Sequence, residues 1–479
     1  MIASDRPREA CGIFGVFGKP GEDVSRTAFF GLFSLQHRGQ ESAGIATADG
    51  TRISVRKAMG LVQHVFSGPD TFPEPGHIAC GHVRYSTTGS SFVRNAQPIE
   101  GEFRGQRFCL GHNGNLTNAD ILRRRLEKQG IKFETTVDSE VIAKLIAISH
   151  ASTFVDAVID ALRQLDGAYS LIIMSADTLI GVRDPRGFRP LCVGRFNDNG
   201  YVIASETCAL STVGAEFVDE VEPGMMVVVR ESGMEWVRAE EPLNRALCIF
   251  EFIYLARPDS KLCGRLVHRV RRQLGHLLSK EHPAEADIVI PVPDTGNAAA
   301  IGYAEASRIR FGEGLIKNRY IARTFIQPDQ RMRDMGVKMK LSPMPEEIDG
   351  KRVVVVDDSI VRGTTTRQIV QLIRDAGAVE VHLRITCPPW RYPCYFGIDT
   401  SDPREFIAGR MTVRQIGEHL GADSLGYLSM SNVIRATGLP RDTFCTACFT
   451  GRYPCPVEVS EVGKKHLFEE VEDVEEVTL

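Results

Sequence analysis

The sequence predicts an α+β first half rich in short strands, followed by an α/β half built on a parallel sheet. Three observations carry this. Between residues 11 and 240, short apolar runs are bounded by Gly, Asp or Pro, as strands usually are. Between 287 and 400, strand-like and helix-like segments alternate, the pattern of βαβ units. Val353–Val356 is an unbroken β-branched run, expected of a strand buried on both faces.

Taken in order, CGIFGVFG, HIACGHVRYS, FCLGHNGNL, AYSLIIMSA and PLCVGRF read as strands, while residues 118–130 and 138–149 carry helical spacing. The polar stretch Glu240–Asn244 contains a proline and reads as a linker. Beyond it, ADIVIPV is a strand ending in the loop PDTGN, and AAAIGYAEAS is a helix. KRVVVVDDSIVRGTTT is a second strand and loop. The helix RQIVQLIRDAG follows, apolar at Ile369, Val370, Leu372 and Ile373, with Gly377 as its stop. VEVHLRIT is a further strand. The acidic tail from Glu469 is expected to fray.

Composition excludes several classes. The 479 residues are enough for two to four domains. The net charge of −4 does not ask for nucleic acid as a partner. Basic runs at Arg123–Arg125 and Arg269–Arg272 read as solvated helix faces. No apolar run reaches the roughly 20 residues of a membrane span. Residues 1–10 lack the apolar core of a secretory signal. Twelve cysteines in a cytoplasmic chain point to catalysis, metal ligation or burial rather than disulfides. Cys80, Cys109, Cys192 and Cys208 lie in apolar runs and read as core residues.

The valine strand ends at Asp357-Asp358-Ser359 and feeds Arg362-Gly363-Thr364-Thr365-Thr366, which opens a helix. Ligands of open α/β sheets bind at the carboxyl ends of strands. Amide groups at a helix start favour phosphate, three threonine hydroxyls add donors, and Gly363 lets the backbone come close. The loop suits a monophosphate; the carboxylates suit ribose hydroxyls, a hard Mg²⁺ ion, or both. Two aspartates alone would only solvate a turn, but strand, DDS and RGTTT in one line argue for a site. This line resembles the signature of the type I phosphoribosyltransferases. The resemblance implies phosphoribosyl diphosphate as substrate, with Asp294, Thr295 and Gly296 holding its diphosphate. Thr295 stands where relatives often have serine; its hydroxyl is kept as a possible Mg²⁺ ligand with Asp357 and Asp358. A basic segment with Lys317, Arg319, Arg323, Arg331 and Arg333 is expected to close over the substrate, with Lys317 among the binding residues.

Cys11 alone would be a buried cysteine at a strand start. If residues 1–10 are removed as a propeptide, its own α-amino group, with a pKa of ~7.7–8.0, becomes an available base. The segments HRGQESAG (37–44), GHVRYST (81–87), GHNGNL (111–116) and Asp138-Ser139-Glu140 accompany it. Together they resemble the glutaminase domain of the class II amidotransferases, an N-terminal-nucleophile hydrolase with an αββα sandwich. The resemblance implies that Cys11 attacks glutamine, that Arg84 pairs with its α-carboxylate and Asp138 with its α-ammonium, and that Asn113 and Gly114 form the oxyanion hole. His82 reads as structural or substrate-orienting.

Both signatures on one chain resemble the amidophosphoribosyltransferase family, in its iron–sulfur-containing subgroup. The implied layout is propeptide 1–10, glutaminase 11–240, phosphoribosyltransferase 241–440 and a C-terminal segment 441–479. The joining segment CIFEFIYLARPDS resembles the family's interdomain motif, with Tyr254 lining an ammonia route. Spacing alone leaves the CxxC at Cys445 and Cys448 open to zinc, an iron–sulfur cluster or a redox dithiol. The subgroup resemblance implies a [4Fe–4S] cluster on Cys248, Cys394, Cys445 and Cys448, with Cys387 and Cys455 as packing residues. It also implies a homotetramer inhibited by purine nucleotides. Two other readings are a glutaminase serving another acceptor, as in aminosugar or asparagine synthesis, and a phosphoribosyl-diphosphate-sensing regulator. VVVVDDSIVRGTTT argues against the first, and Cys11 with Asn113-Gly114 against the second.

Overall fold

A computed structural model describes residues 11–85, 89–196, 200–318, 341–400 and 403–457. The leader, Ser86, Thr87, the arginines of the basic segment and the acidic tail lie outside the described residues.

The first half stacks two antiparallel sheets. In the seven-stranded sheet, Gly12–Phe17 runs between Ile78–Arg84 and Gly200–Ala204, with Gly12 opposite Val83. The six-stranded sheet carries Gln106–Leu116 paired to Gly167–Met174, with Asn113 opposite Ser170. Strand side chains alternate between faces, so Ile13 of one sheet and Ile172 of the other meet in the shared core. The outer faces are covered by helices: Ser25–Ser34 and Thr207–Thr212 on one side, and Ala119–Lys128, Asp138–Ala147 and Phe154–Leu162 on the other. This is the expected αββα sandwich. Cys80, Cys109, Cys192 and Cys208 are buried, as their apolar surroundings predict.

The second half is a five-stranded parallel sheet in the order Arg310–Phe311, Ile288–Pro291, Arg352–Asp357, Glu380–Ile385, Ser424–Tyr427. Val353–Val356 lies at its centre, fully buried. Helix Thr364–Asp375 buries Ile369, Val370, Leu372 and Ile373, and Gly377 follows its end at φ +96°. That conformation is left-handed and costs glycine least.

One feature departs from the sequence reading and one refines it. The Arg269–Arg272 run is not wholly a solvated face: Arg271 is buried and donates to the carbonyls of Phe252 and Ala256 at 2.9 and 2.7 Å. A charge run shows its exposed members and hides the one facing inward. Glu240–Asn244 is pinned rather than loose. Glu240 accepts from the Tyr169 hydroxyl, and Leu243 N donates to the Pro185 carbonyl at 2.8 Å.

Helices Val267–Glu281 and Asn297–Ser307 cross at glycines that leave no room for a side chain. A Cβ on Gly275 would stand 1.8 Å from the Ala299 carbonyl oxygen, and one on Gly302 would stand 1.9 Å from that of Arg272. Gly275→Ala must push the helices apart, at a cost of about 1–3 kcal/mol. Its melting temperature should fall below that of the parent chain; an unchanged one would contradict this crossing.

Candidate functional site

The first site forms where strand Gly12–Phe17 begins. Cys11 is 6% exposed. Its thiol donates to the Tyr85 carbonyl at 3.3 Å, and Tyr85 N donates back to the sulfur at 3.4 Å. Burial pushes this thiol up to about 11, against the lowering effect of the Tyr85 hydrogen bond and of Arg84. Glu41 and Asp138 also act on it. The fold therefore gathers Cys11, Arg84 and Asp138 from three separate stretches of chain.

Arg84 ends its strand buried, donating to Glu41 Oε1 at 2.7 Å and to the carbonyls of Gly89 and Ser90 at 2.9 and 3.2 Å. Asp138 opens its helix and accepts from Leu116 N at 2.9 Å, with His112 Nδ1 at 3.6 Å. Burial raises this carboxyl, but His112 and the hydrogen bonds outweigh it and hold the pKa below the usual carboxylate value.

Asn113 is fully buried, and neither its Oδ1 nor its Nδ2 has a hydrogen-bond partner among the described residues. An unmatched buried amide costs about 1–3 kcal/mol, so it asks for a ligand. Gly114 beside it has φ +151°, and a Cβ there would lie 2.0 Å from the Ala168 carbonyl oxygen. Only glycine fits. His82 is buried with Nε2 3.0 Å from the His112 carbonyl, and desolvation lowers its pKa to about 3. It stays neutral, which suits the structural reading.

The second site lies at the carboxyl edge of the parallel sheet. Thr295 donates its hydroxyl to 2.5 Å from Asp358 Oδ2, and Ser359 Oγ donates to Asp358 Oδ1 at 2.6 Å. Asp358 N donates to Asp357 Oδ1 at 2.9 Å. Lys317 Nζ reaches Asp294 Oδ2 at 2.6 Å. A Cβ on Gly296 would come within 2.5 Å of the Val356 carbonyl oxygen, so the Asp294–Gly296 loop needs that glycine to lie against the valine strand. Gly363, at φ +84°, precedes helix Thr364–Asp375, whose first turn is Thr364, Thr365 and Thr366. The two loops and the carboxylates thus share one rim. Thr295, Asp357 and Asp358 offer only oxygen donors, the set a hard cation takes.

The cysteines gather at a third place. Leu247–Cys248 pairs in parallel with Phe444–Cys445, setting Cys248 directly opposite Cys445. Cys448 follows in the next turn, and its carbonyl accepts from Arg391 N and Tyr392 N at 3.1 and 3.0 Å, just before Cys394. Cys248, Cys394 and Cys445 all act electrostatically on Cys448. All four thiols are free, and only Cys394 is more than slightly exposed. Cys387 and Cys455 are also buried. Among the described residues, no three His, Cys, Asp or Glu side chains converge as a single metal ion needs.

The glutamine amidotransferase domain family matches residues 82–212, and the phosphoribosyl transferase domain family matches 266–395. The amidophosphoribosyltransferase of Synechococcus elongatus is 48% identical over 98% of this chain and 96% of its own. That of Methanocaldococcus jannaschii is 47% identical over 94% of this chain and 99% of its own.

The chain belongs to the amidophosphoribosyltransferase family.

Solved structures agree. The allosteric regulatory enzyme of purine biosynthesis is 44% identical and superposes with a TM-score of 0.91 over 96% of this chain and 100% of its own. The Bacillus subtilis glutamine phosphoribosylpyrophosphate amidotransferase, solved with ADP and GMP, is 45% identical, with a TM-score of 0.88 over 95% of this chain and 99% of its own. Among the described residues, no helix is long and apolar enough to cross a membrane.

One part of this amidophosphoribosyltransferase-family chain was not read from sequence. Arg38 donates through Nε to the Cys11 carbonyl at 3.2 Å and through Nη2 to Glu251 Oε1 at 2.7 Å, and it also meets Glu206. Arg189 Nη1 donates to the same Glu251 oxygen at 3.1 Å. All four side chains are buried. The available signal was a lone charge in an apolar run, as at Glu251 in CIFEFIYLA. Tyr254 lies in the same segment, buried with its ring 6.0 Å from that of Phe250.

With residues 1–10 still attached, thiolate formation at Cys11 should follow its raised pKa. Alkylation should speed up as pH climbs toward about 11. Chains shown by mass spectrometry to begin at Cys11 should react well below that. A full-length chain already at its plateau rate at pH 8 would contradict the burial argument.

Proposed function

We propose that Cys11, freed at the mature N-terminus, is the nucleophile of the family's reaction, glutamine-dependent transfer of ammonia to phosphoribosyl diphosphate. That reaction gives 5-phosphoribosylamine, glutamate and diphosphate, and it opens purine synthesis. The observation that carries the assignment is the buried, unpartnered Asn113 amide beside Gly114.

The α-amino group of Cys11 takes the thiol proton, and the sulfur attacks the glutamine carboxamide. Asn113 Nδ2 and Gly114 N–H donate to the oxyanion that develops. Arg84 grips the α-carboxylate and Asp138 the α-ammonium. The proton returns to the departing nitrogen, ammonia leaves, and water hydrolyses the thioester to glutamate. Ammonia passes inside the protein, past Tyr254, and its lone pair attacks C1 of the ribose as diphosphate departs. The Gly363–Thr366 loop binds the 5-phosphate, and Asp357, Asp358 and Ser359 orient the ribose. Asp294, Thr295, Gly296 and Lys317 hold the diphosphate. Thr295, Asp357 and Asp358 would hold Mg²⁺, which offsets diphosphate charge when bound.

Cys248, Cys394, Cys445 and Cys448 would hold a [4Fe–4S] cluster. The parallel pairing of Cys248 with Cys445 and the N–H of Phe396, 3.4 Å from Cys394 Sγ, support that fit. The cluster's part is structural, since no step moves an electron. The relative solved with ADP and GMP supports purine nucleotides as inhibitors. A cytoplasmic homotetramer completes the proposal on family resemblance.

Cys11→Ala should abolish glutamine-dependent activity while sparing activity with added ammonia. Asn113→Ala should lower glutamine-dependent kcat by about 10²–10³-fold and also spare the ammonia reaction. Glutamine-dependent turnover in Cys11→Ala would sink the assignment.

A further inference from the structure

Arg189 belongs to the first half of the chain, yet its guanidinium is fully buried against the second. Nη1 donates to Glu251 Oε1 at 3.1 Å, and Nη2 donates to the Phe396 carbonyl at 2.8 Å. Nε has no hydrogen-bond partner among the described residues. Glu251 is shared with Arg38, so it does not neutralise Arg189 alone.

Two of the proposed cluster cysteines, Cys248 and Cys394, act electrostatically on this cation. Phe396, whose carbonyl Arg189 holds, donates its N–H to Cys394 Sγ at 3.4 Å. Cys248 N donates at 3.1 Å to the carbonyl of Phe188, the residue before Arg189. The rings of Phe188 and Phe396 stack with centroids 4.3 Å apart. The same loop backs onto the oxyanion strand: Asn115 Nδ2 donates to the Tyr395 carbonyl at 3.2 Å, and a Cβ on Gly397 would lie 3.1 Å from both the Gly114 carbonyl carbon and Arg189 Nη2.

We propose that Arg189 is a positioning residue for the cluster: its buried positive charge offsets that of the cluster thiolates, and Glu251 and Arg38 tie it to the carbonyl of Cys11. The inference rests on the cluster reading above. A [4Fe–4S] core with four thiolates carries roughly two net negative charges, and its potential responds to nearby charge and burial. One-electron reduction adds a negative charge. A buried cation favours that step, and the Glu251 carboxylate opposes it.

The test is the midpoint potential of the full-length protein, purified without oxygen and read by the spectrum of the reduced cluster. Iron and sulfide are assayed first. Arg189→Met, which keeps the bulk and loses the charge, should lower the reduction equilibrium about tenfold, ~59 mV. Arg189→Lys, which keeps the charge, should stay close to the parent value. Glu251→Gln should move it upward, and this variant carries the test if Arg189→Met does not fold. A structural role alone would leave the potential unmoved. Parent-like potentials in Glu251→Gln and in any folded Arg189→Met would overturn the inference while leaving the cluster reading intact. A parent protein with iron and sulfide absent, or with zinc alone, would overturn both.

Discussion

Glu251 sits inside an apolar segment, fully buried, and shares its carboxylate between Arg38 and Arg189. Glu206 gives Arg38 a second acid and also meets His37, so the two arginines and two carboxylates share one buried network. Taking such charges out of water is expensive, and only a complete set repays it. Removing one partner strands a buried charge, typically at a cost of about 3–5 kcal/mol. The arginines and Glu206 come from the first half of the chain, and Glu251 comes from the segment entering the second. The set therefore forms only when both halves are docked.

That docking bears directly on chemistry, because Arg38 also holds the carbonyl of Cys11. Cys11, the proposed nucleophile, is fixed from the side of the second half. Its burial raises the thiol, so the proposed reaction needs a base close at hand, and an α-amino group freed by processing would meet that need. Ammonia made there is useful only while unprotonated. The segment containing Tyr254 is buried, as the proposed ammonia route past it requires.

Much of this was legible in the sequence. The valine strand, the Asp pair and the threonine loop are contiguous, so one line of sequence states the strand, its end and the helix that follows. Asn113, Gly114 and Asp138 were recognisable from short segments in a fixed order. What sequence hides is partnership across distance. Arg38 and Glu251 are 213 residues apart, and no periodicity in either segment points to the other. Arg271 shows the same limit, since a basic run does not reveal which member turns inward. Thr295 was placed by resemblance, but its hydroxyl contact with Asp358 required the two loops to meet at one sheet edge.

In the proposed reaction, ammonia passes from Cys11 to the phosphoribosyl site without entering solvent. The direct measurement uses glutamine labelled with ¹⁵N at the amide, with unlabelled ammonium present at a level too low to support turnover by Cys11→Ala. The nitrogen of the product is then analysed by mass spectrometry. Internal transfer gives product nitrogen that is nearly all ¹⁵N. Label diluted to the composition of the ambient ammonium pool would contradict it.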